Sequence, residues 1–228
     1  MPAPPDPDLP SRSATATPLV IASGNAGKLR EFTALLRHLP LEVRPQPPGL
    51  EVEETGDSFA ANARLKARAV ALASGCWALA DDSGLEVTAL GGAPGVQSAR
   101  YAVDDDARIR RLLQELGEAT RQRAASGLAA DRSARFVAAL ALADPRGEIR
   151  LEVEGQCPGE ILEAPRGEGG FGYDPVFLVP ELGRSFAEMD RQEKGQVGHR
   201  GRAFALLEPQ LRALCDGPLG PDGAGGAG

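Results

Sequence analysis

The chain has 228 residues, of which 42% are hydrophobic and 25% are charged. This length and balance predict one globular domain with a substantial core. The net charge of −7 argues against sequence-independent binding to nucleic acid or to an anionic membrane, because both need a basic surface.

The spacing of the cysteines and the N-terminal sequence predict the cellular compartment of the protein. Cys76, Cys157 and Cys215 form no zinc-type spacing and indicate a reducing environment. The most apolar run, residues 69–80, is too short to span a bilayer. The N-terminus lacks the basic and apolar regions of a signal peptide. We therefore expect a cytoplasmic protein.

Two terminal segments differ in composition from the rest. Residues 1–18 are rich in proline and residues 215–228 are rich in glycine and proline. Neither segment has enough apolar side chains to offset the entropy of ordering, so both are predicted to be disordered. The domain itself is predicted to span residues 19–214.

The first elements alternate between strand and helix. Leu19–Ala22 is predicted as a strand, and Lys28–Leu39 as a helix with one apolar face. A second helix is predicted over Ser58–Ser74, with Asp57 as its N-cap candidate and Gly75 just past its end.

The middle of the chain continues this pattern. Trp77–Ala80 and Leu85–Leu90 are predicted as two strands on either side of a tight turn, "DDSG". Asp104 is predicted to cap a helix that ends at Gly117.

The later elements include a hairpin. Arg135–Ala143 and Glu148–Glu154 are predicted as antiparallel strands joined by "DPRG". A long polar loop is predicted to precede a last helix, which begins near Gly201 and bends or stops near Pro209. The whole pattern predicts an α/β fold with a mixed, mainly open sheet covered by helices.

The segment "SGNAGK" follows the first strand and opens the first helix. Gly24 and Gly27 allow close backbone approach, the helix start offers N–H groups, and Lys28 adds a positive charge, which together suit a phosphate. It is not a Walker loop, because Ala22 and Leu29 replace the required glycine and hydroxyl residue. An ordinary turn with a solvated lysine is an equally good interpretation.

Acidic residues occur in two places. Glu53 precedes a helix start, where negative charge is favoured for structural reasons alone. Asp81 and Asp82 follow an apolar strand, where functional side chains often collect, although paired aspartates also solvate turns. Glu53 and an aspartate together would supply the oxygen ligands that Mg²⁺ prefers.

The segment "PRGEGGFGYDPVF" contains G-x-G-x-x-G but is not a dinucleotide motif, because Pro165 precedes it and no helix follows. Its glycines make a bare loop that presents Phe171 beside Asp174, which suits a nucleobase. A small core around Phe171 is the alternative. Further on, Lys194, His199 and Arg200 form a basic group, which is either a solvated face or part of a covered site, and His199 is equally compatible with the core.

Taken in order, five segments resemble the inosine/xanthosine triphosphate pyrophosphatase family: "SGNAGKLREF", "EETGDSFAANARLKA", "ADDSGLEVTALGGAPGVQSARY", "GGFGYDPVF" and "HRGRA". The resemblance runs from about residue 19 to residue 214. It implies an elongated α/β fold with two lobes around a cleft, usually a homodimer. It also implies Mg²⁺-dependent hydrolysis of noncanonical purine nucleoside triphosphates to a monophosphate and pyrophosphate.

The resemblance also assigns roles to single residues. Glu53 and Asp82 are implied to be Mg²⁺ ligands, with Asp82 also activating water. The triphosphate and sugar are assigned to Ser23, Gly24, Asn25, Ala26, Gly27 and Lys28. The remaining substrate contacts, to the base and the nearby phosphates, are assigned to Ser83, Phe171, Gly172, Tyr173, Asp174, Lys194, His199 and Arg200.

Two rival functions remain at this stage. One is a hydrolase that cleaves at another phosphorus, and the other is a nucleotide sensor that has lost turnover. Retention of Glu53 and Asp82 argues against the sensor. Arg200 can only donate hydrogen bonds, so it favours a base with a 6-oxo group over adenine.

Overall fold

A computed structural model of the protein describes residues 16–217 and residue 219. Most of the two terminal segments predicted to be disordered lies outside these residues. At the N-terminal boundary, Thr17 and Pro18 already belong to the first strand. Cys215 is still helical, and the Thr17 hydroxyl donates to the Leu219 carbonyl at 2.6 Å, so the two ends of the domain lie together.

One sheet and five α-helices make up the described part of the chain. The strands are β1 (Thr17–Ala22), β2 (Leu41–Pro45), β3 (Trp77–Val87), β4 (Ser133–Ala143), β5 (Ile149–Ile161), β6 (Phe177–Val179) and β7 (Arg184–Ser185). The helices are α1 (Ala26–Leu36), α2 (Phe59–Ser74), α3 (Asp105–Ala125), α4 (Arg191–Val197) and α5 (His199–Cys215).

The seven strands lie in the order β2-β1-β3-β4-β5-β6-β7. Strand β1 pairs in parallel with β2 and β3, and every later pair is antiparallel. The predicted α/β fold with a mixed sheet is therefore confirmed. None of the helices described is long and apolar enough to cross a membrane.

Helices pack on both faces of this sheet. On one face, Leu79 of β3 packs with Phe32 of α1 and Phe204 of α5. On the other face, α2 packs through alanine and valine side chains such as Ala67 against small residues of β1, β3 and β4. Because side chains alternate along a strand, β3 sends Leu79 to the first face and Ala80 to the second.

The predicted turn at "DDSG" is wrong, because β3 runs through it without a break. Strand β4 pairs with β3 along its length, with Ser83 opposite Ala138 and Gly84 opposite Val137. An Asp-Ser-Gly sequence favours a turn only locally, and here the antiparallel partner determines the conformation.

The position of Asp81 and Asp82 follows from where β1 stops. The last parallel pair joins Ala22 of β1 to Ala80 of β3. The next residues of β3, Asp81 and Asp82, lie just beyond the end of that neighbouring strand. Their side chains point to opposite faces of the sheet, since they are consecutive in a strand.

Several helix boundaries also differ from the prediction. The N-cap of α2 is Ser58, whose hydroxyl accepts from the Ala61 amide, and not Asp57. Helix α3 begins after Asp104 as predicted but continues through Gly117 to Ala125. A glycine inside a helix weakens it without ending it when the apolar face continues to pack.

The C-terminal region contains more helix than predicted. The supposed polar loop contains α4, which is capped by Asp190 and Glu193 acting on each other's amides. Helix α5 begins at His199 and continues through Pro209, because Leu207 and Leu211 on either side of the proline are both buried.

We predict that Gly84→Ala destabilises the protein. A Cβ atom at this position would lie 2.4 Å from the Ser98 hydroxyl oxygen and 2.7 Å from the Gly95 carbonyl oxygen. Such overpacking should lower the free energy of unfolding in urea by about 2 kcal/mol.

Gly117→Ala is the matched control for this change. A Cβ at Gly117 would meet only the mobile Arg121 guanidinium, at 3.7 Å. An alanine inside a helix should raise the free energy of unfolding by about 0.5–1 kcal/mol. Equal stabilities for the two variants would contradict the account of Gly84.

Candidate active site

The segment between β1 and α1 is exposed and is held by its own side chains. The Asn25 side-chain oxygen accepts from the Gly27 amide at 2.7 Å and from the Lys28 amide at 3.3 Å. The Asn25 amide in turn donates to the Ser23 hydroxyl at 3.2 Å. The helix-start amides that the sequence suggested for a phosphate are therefore already capped by Asn25.

Lys28 is not a solvated surface lysine. Its side chain is 17% exposed, and its ammonium lies 2.7 Å from a carboxylate oxygen of Asp81. The same ammonium donates to the Asp81 carbonyl at 3.3 Å. Burial lowers the pKa of Lys28, and the Asp81 carboxylate opposes this. The lysine that opens α1 is thus directed at β3.

Arg200 reaches the same carboxylate from α5. Its Nε donates to Asp81 at 3.2 Å and its Nη2 donates to the Ser83 hydroxyl at 2.8 Å. Burial alone would raise the pKa of Asp81, but Lys28 and Arg200 hold it well below its usual range. This face of β3 therefore carries a buried carboxylate with two cations.

Asp82 faces α2 on the opposite side of the sheet. One of its oxygens lies 2.6 Å from the Lys66 ammonium, and the other accepts from the Asn62 amide at 3.3 Å. Burial raises the pKa of Asp82, and the opposing effect of Lys66 does not cancel it. A buried carboxylate with a raised pKa is suited to accepting a proton.

Lys66 and Asn62 were missed by the sequence analysis. A signal was present, since the two polar residues lie four apart in α2, beside a buried face whose other members are apolar. Asn62 also accepts from the Gly56 amide at 2.8 Å, so it fixes the segment before α2 against Asp82.

The acidic segment before α2 contributes Glu54 to this network. Lys66 lies 2.8 Å from a Glu54 oxygen and so bridges Glu54 and Asp82. Arg100 lies 3.0 Å from the other Glu54 oxygen. Glu53, which the sequence analysis proposed as a metal ligand, has an exposed side chain and takes part in none of these contacts.

The carboxylates around Asp82 can be compared with the ligands that a magnesium ion needs. Within residues 16–217 and 219, no group of three or more acidic, histidine or cysteine side chains converges as an ion site. Two carboxylates, Asp82 and Glu54, do converge on one cation, the Lys66 ammonium. Mg²⁺ is commonly held by one or two carboxylates together with water and substrate phosphate, so the residues fit this metal.

The glycine-rich loop presents Phe171, whose exposure of 52% excludes the alternative of a small core around it. Gly170 and Gly172 on either side have positive φ angles of 76° and 62°. The Phe171 amide donates to the buried Asp174 carboxylate at 2.9 Å, and the Gly172 amide donates to Asp105 at 2.7 Å. The loop is therefore anchored while its aromatic ring remains exposed.

Two cations lie near this ring. The Lys194 ammonium pairs with Asp174 and lies 4.7 Å from the centre of the Phe171 ring. The Arg200 guanidinium lies 5.8 Å from the same centre. Tyr173, by contrast, is buried and donates its hydroxyl to the Ser98 carbonyl at 3.0 Å, which makes it an anchor of the loop.

His199 lies in the core at the start of α5. Its ring stacks on Phe136 at 4.8 Å between centres, and it is 4% exposed. Nδ1 has no hydrogen-bond partner among the described residues. Burial holds the pKa of His199 well below its usual value, so the ring is neutral at pH 7.

The fold and the site define an α/β protein in which adjacent carboxylates, each paired with a cation, lie at the carboxyl end of the parallel strand pair β1 and β3. Comparison with known proteins agrees with this. The model of the Ham1 family matches residues 19–210, and the chain belongs to this family.

Several relatives are highly similar over almost their whole length. The dITP/XTP pyrophosphatase of Synechococcus sp. (strain CC9311) is 60% identical over 90% of this chain and 94% of the relative. The dITP/XTP pyrophosphatase of Nostoc sp. is 54% identical over 86% of this chain and 95% of the relative. Among solved structures, a HAM1 protein from Coxiella burnetii has a TM-score of 0.79 at 42% identity, covering 86% of this chain and 99% of that one.

We predict that His199→Phe folds about as well as the unmodified protein. The new ring stacks on Phe136 in the same place and removes a buried nitrogen that lacks a partner. At pH 7.5 the free energy of unfolding should stay within about 1 kcal/mol.

The pH dependence of unfolding provides the check. Below 6.5, the ordinary pKa of histidine, the unfolded chain binds a proton that the native His199 does not. The unmodified protein should therefore lose up to about 1.4 kcal/mol per pH unit from this group as the pH falls. His199→Phe should lack that loss, whereas the exposed His38 is common to both proteins. Parallel stability curves would contradict the assignment.

Proposed function

We propose that this protein hydrolyses the noncanonical purine nucleoside triphosphates ITP, dITP and XTP to the monophosphate and pyrophosphate. This activity removes them from the nucleotide pool and keeps them out of DNA and RNA. The observation that carries the proposal is the pair Asp81 and Asp82, which set cations on one side of β3 and a raised-pKa carboxylate on the other. The names of the relatives, dITP/XTP pyrophosphatase, support the same reaction.

In this proposal the triphosphate lies against the segment Ser23–Lys28. The Lys28 ammonium neutralises phosphate charge while it stays close to Asp81. The exposed amides at the start of α1 become available when the Asn25 side chain gives up its contacts with them. Phosphate oxygens suit these amides, since helix starts attract anions.

Asp82 is the proposed acceptor of the water proton. A water oxygen attacks the α-phosphorus, the bond to the bridging oxygen breaks, and pyrophosphate leaves. The proton passes to Asp82, whose burial raises its pKa and makes it a better base. Before magnesium binds, Lys66 and Asn62 orient this carboxylate.

Magnesium is proposed as the cofactor, held by Asp82 with Glu54 or the neighbouring Glu53. When bound, it would neutralise phosphate charge and orient the pyrophosphate leaving group. Lys66 lies between Asp82 and Glu54, so its ammonium has to move for both carboxylates to serve.

The base is proposed to stack on the exposed Phe171 ring. Arg200 and Lys194 lie beside that ring and can only donate hydrogen bonds, which suits the 6-oxo group of hypoxanthine and xanthine. Adenine presents an amino donor at this position and would leave a buried donor unpaired, at a cost of about 1–3 kcal/mol. Guanine shares the 6-oxo group, so the Phe171–Asp174 loop is our candidate for disfavouring its 2-amino group.

The setting of the enzyme is also proposed. A homodimer with two lobes around the cleft and a cytoplasmic location follow from the family resemblance and the cysteine usage. The net charge of −7 makes nucleic acid or a membrane surface an unsuitable partner.

A panel of nucleoside triphosphates with Mg²⁺ tests the reaction. We expect ITP, dITP and XTP to release pyrophosphate far faster than ATP or GTP. Orthophosphate would indicate attack at the terminal phosphorus, and binding without turnover would indicate a sensor.

We predict that Asp82→Asn reduces kcat by roughly 10² or more. The amide keeps the shape of the side chain but cannot accept the proton or offer a full negative charge. Glu118→Gln, an equal charge change on the exposed side of α3, is the control and should leave kcat unchanged. Similar rates for Asp82→Asn and the control would refute the assignment.

We also predict different effects for the two cations of Asp81. Lys28→Ala should slow every triphosphate by a similar factor, since the phosphates are common to all. Arg200→Ala should slow the hydrolysis of ITP more than that of ATP. The ratio of kcat/KM for ITP to kcat/KM for ATP should therefore fall by about tenfold or more. An equal loss with both nucleotides would identify Arg200 as a phosphate ligand.

A further inference from the structure

Two cations from distant parts of the chain meet at one oxygen atom. Lys28 of α1 and Arg200 of α5 lie 2.7 and 3.2 Å from the same Oδ2 of Asp81. The Ser83 hydroxyl donates to this oxygen at 3.3 Å and accepts from Arg200 at 2.8 Å. The side chains of Lys28, Arg200 and Ser83 are therefore all held by the carboxylate of Asp81, in the middle of β3.

Asp81 itself is placed too deep for substrate contact. Its side chain is 1% exposed, while that of Lys28 is 17% exposed. The ammonium of Lys28 has three N–H groups, and Asp81 accepts from it at only two atoms, Oδ2 and the carbonyl. The lysine therefore keeps donor capacity for a ligand while Asp81 holds it.

The two oxygens of this carboxylate are used unequally. Oδ1 of Asp81 is buried and has no hydrogen-bond partner among the described residues. Buried polar atoms in native proteins are nearly always paired, so an unpaired one calls for an explanation. The carboxylate is therefore oriented so that Oδ2 alone accepts from the two cations and from Ser83.

The charges around Asp81 lead to the same conclusion. Without the carboxylate, Lys28 and Arg200 would be two buried positive charges that repel each other. Arg200 also has Glu31 at 3.5 Å, and the Asp174 carboxylate contributes to raising its pKa. Asp81 therefore holds together two cations that would otherwise move apart.

We propose that Asp81 is a positioning residue that fixes the phosphate-binding Lys28 and the base-reading Arg200 relative to each other. The inference rests on the proposed function, since it takes the two cations as substrate contacts. Asp81 acts through them and touches neither the substrate nor the reacting atoms. One carboxylate thereby sets the distance between the phosphate and base halves of the site.

A double-mutant cycle tests this in turnover of ITP. Asp81→Asn should lower kcat/KM about 30-fold in the otherwise unmodified enzyme. In the Lys28→Met or Arg200→Ala background, the same change should lower kcat/KM by about sixfold or less. Lys194→Ala is the control background, because Lys194 pairs with Asp174 and not with Asp81. There Asp81→Asn should have its full effect. Equal effects in all the backgrounds would overturn the proposal.

Binding of inorganic tripolyphosphate, measured by calorimetry, needs no turnover. Asp81→Asn should weaken it at least about fivefold in the unmodified protein and less than about twofold in the Lys28→Met background. If Asp81→Asn alone does not fold, Asp81→Asn/Lys28→Met removes one anion and one cation together. Its dissociation constant should then match that of Lys28→Met within about twofold, and an additional loss would overturn the proposal.

These two measurements separate the two possible failures. If the unmodified protein releases no pyrophosphate from ITP, the proposed function fails, and the tripolyphosphate cycle still decides the role of Asp81. If pyrophosphate is released but the effects are additive in both cycles, the proposed function stands and the positioning role is wrong.

Discussion

The burial of two adjacent carboxylates on β3 is the constraint on which the arrangement of the site depends. Consecutive residues of a strand face opposite sides of the sheet, so Asp81 and Asp82 cannot share a partner. Each needs its own cation, because an unpaired buried charge costs several kcal/mol. Lys28 and Arg200 satisfy Asp81 from α1 and α5, and Lys66 satisfies Asp82 from α2. Three helices on two faces are thereby fixed relative to one strand.

Sequence reasoning predicted the elements that local patterns determine and missed those that depend on distant pairing. The hairpin of β4 and β5 follows from the turn sequence "DPRG" between two strand-forming runs, and helix α3 follows from its capping residue Asp104. The supposed turn at Ser83–Gly84 failed because the turn preference of these residues is weaker than ladder pairing with β4. Strand β2 was not predicted although its residues alternate between apolar and polar, because a run of only five residues depends on its parallel pairing with β1.

The candidate site divides in the same way. Lys28 and Asp82 were proposed from a glycine-bearing segment and a strand end, and Arg200 from the family resemblance; the structure places Lys28 and Arg200 at Asp81 and Asp82 at Lys66. Lys66 was missed despite its spacing from Asn62, because a lysine in an alanine-rich helix usually points to solvent, whereas here it pairs with Asp82. Asn25 is the reverse case, a residue predicted to contact the substrate. In the structure its side-chain oxygen caps α1 by accepting from the Gly27 amide.

The pairing of the cations with carboxylates also limits how this acidic protein can bind a polyanion such as a nucleoside triphosphate. The net charge of −7 repels nucleoside triphosphates only weakly, since salt screens charges beyond about 8 Å at physiological ionic strength. The nearby charges matter more, and each of the three lysines of the candidate site already pairs with a carboxylate: Lys28, Lys66 and Lys194. A phosphate must therefore share these cations with Asp81, Asp82 or Asp174 rather than meet free charges. On the proposed function, binding strength then depends on how these carboxylates are held, and we expect a position such as Asp81 to affect affinity without touching the ligand.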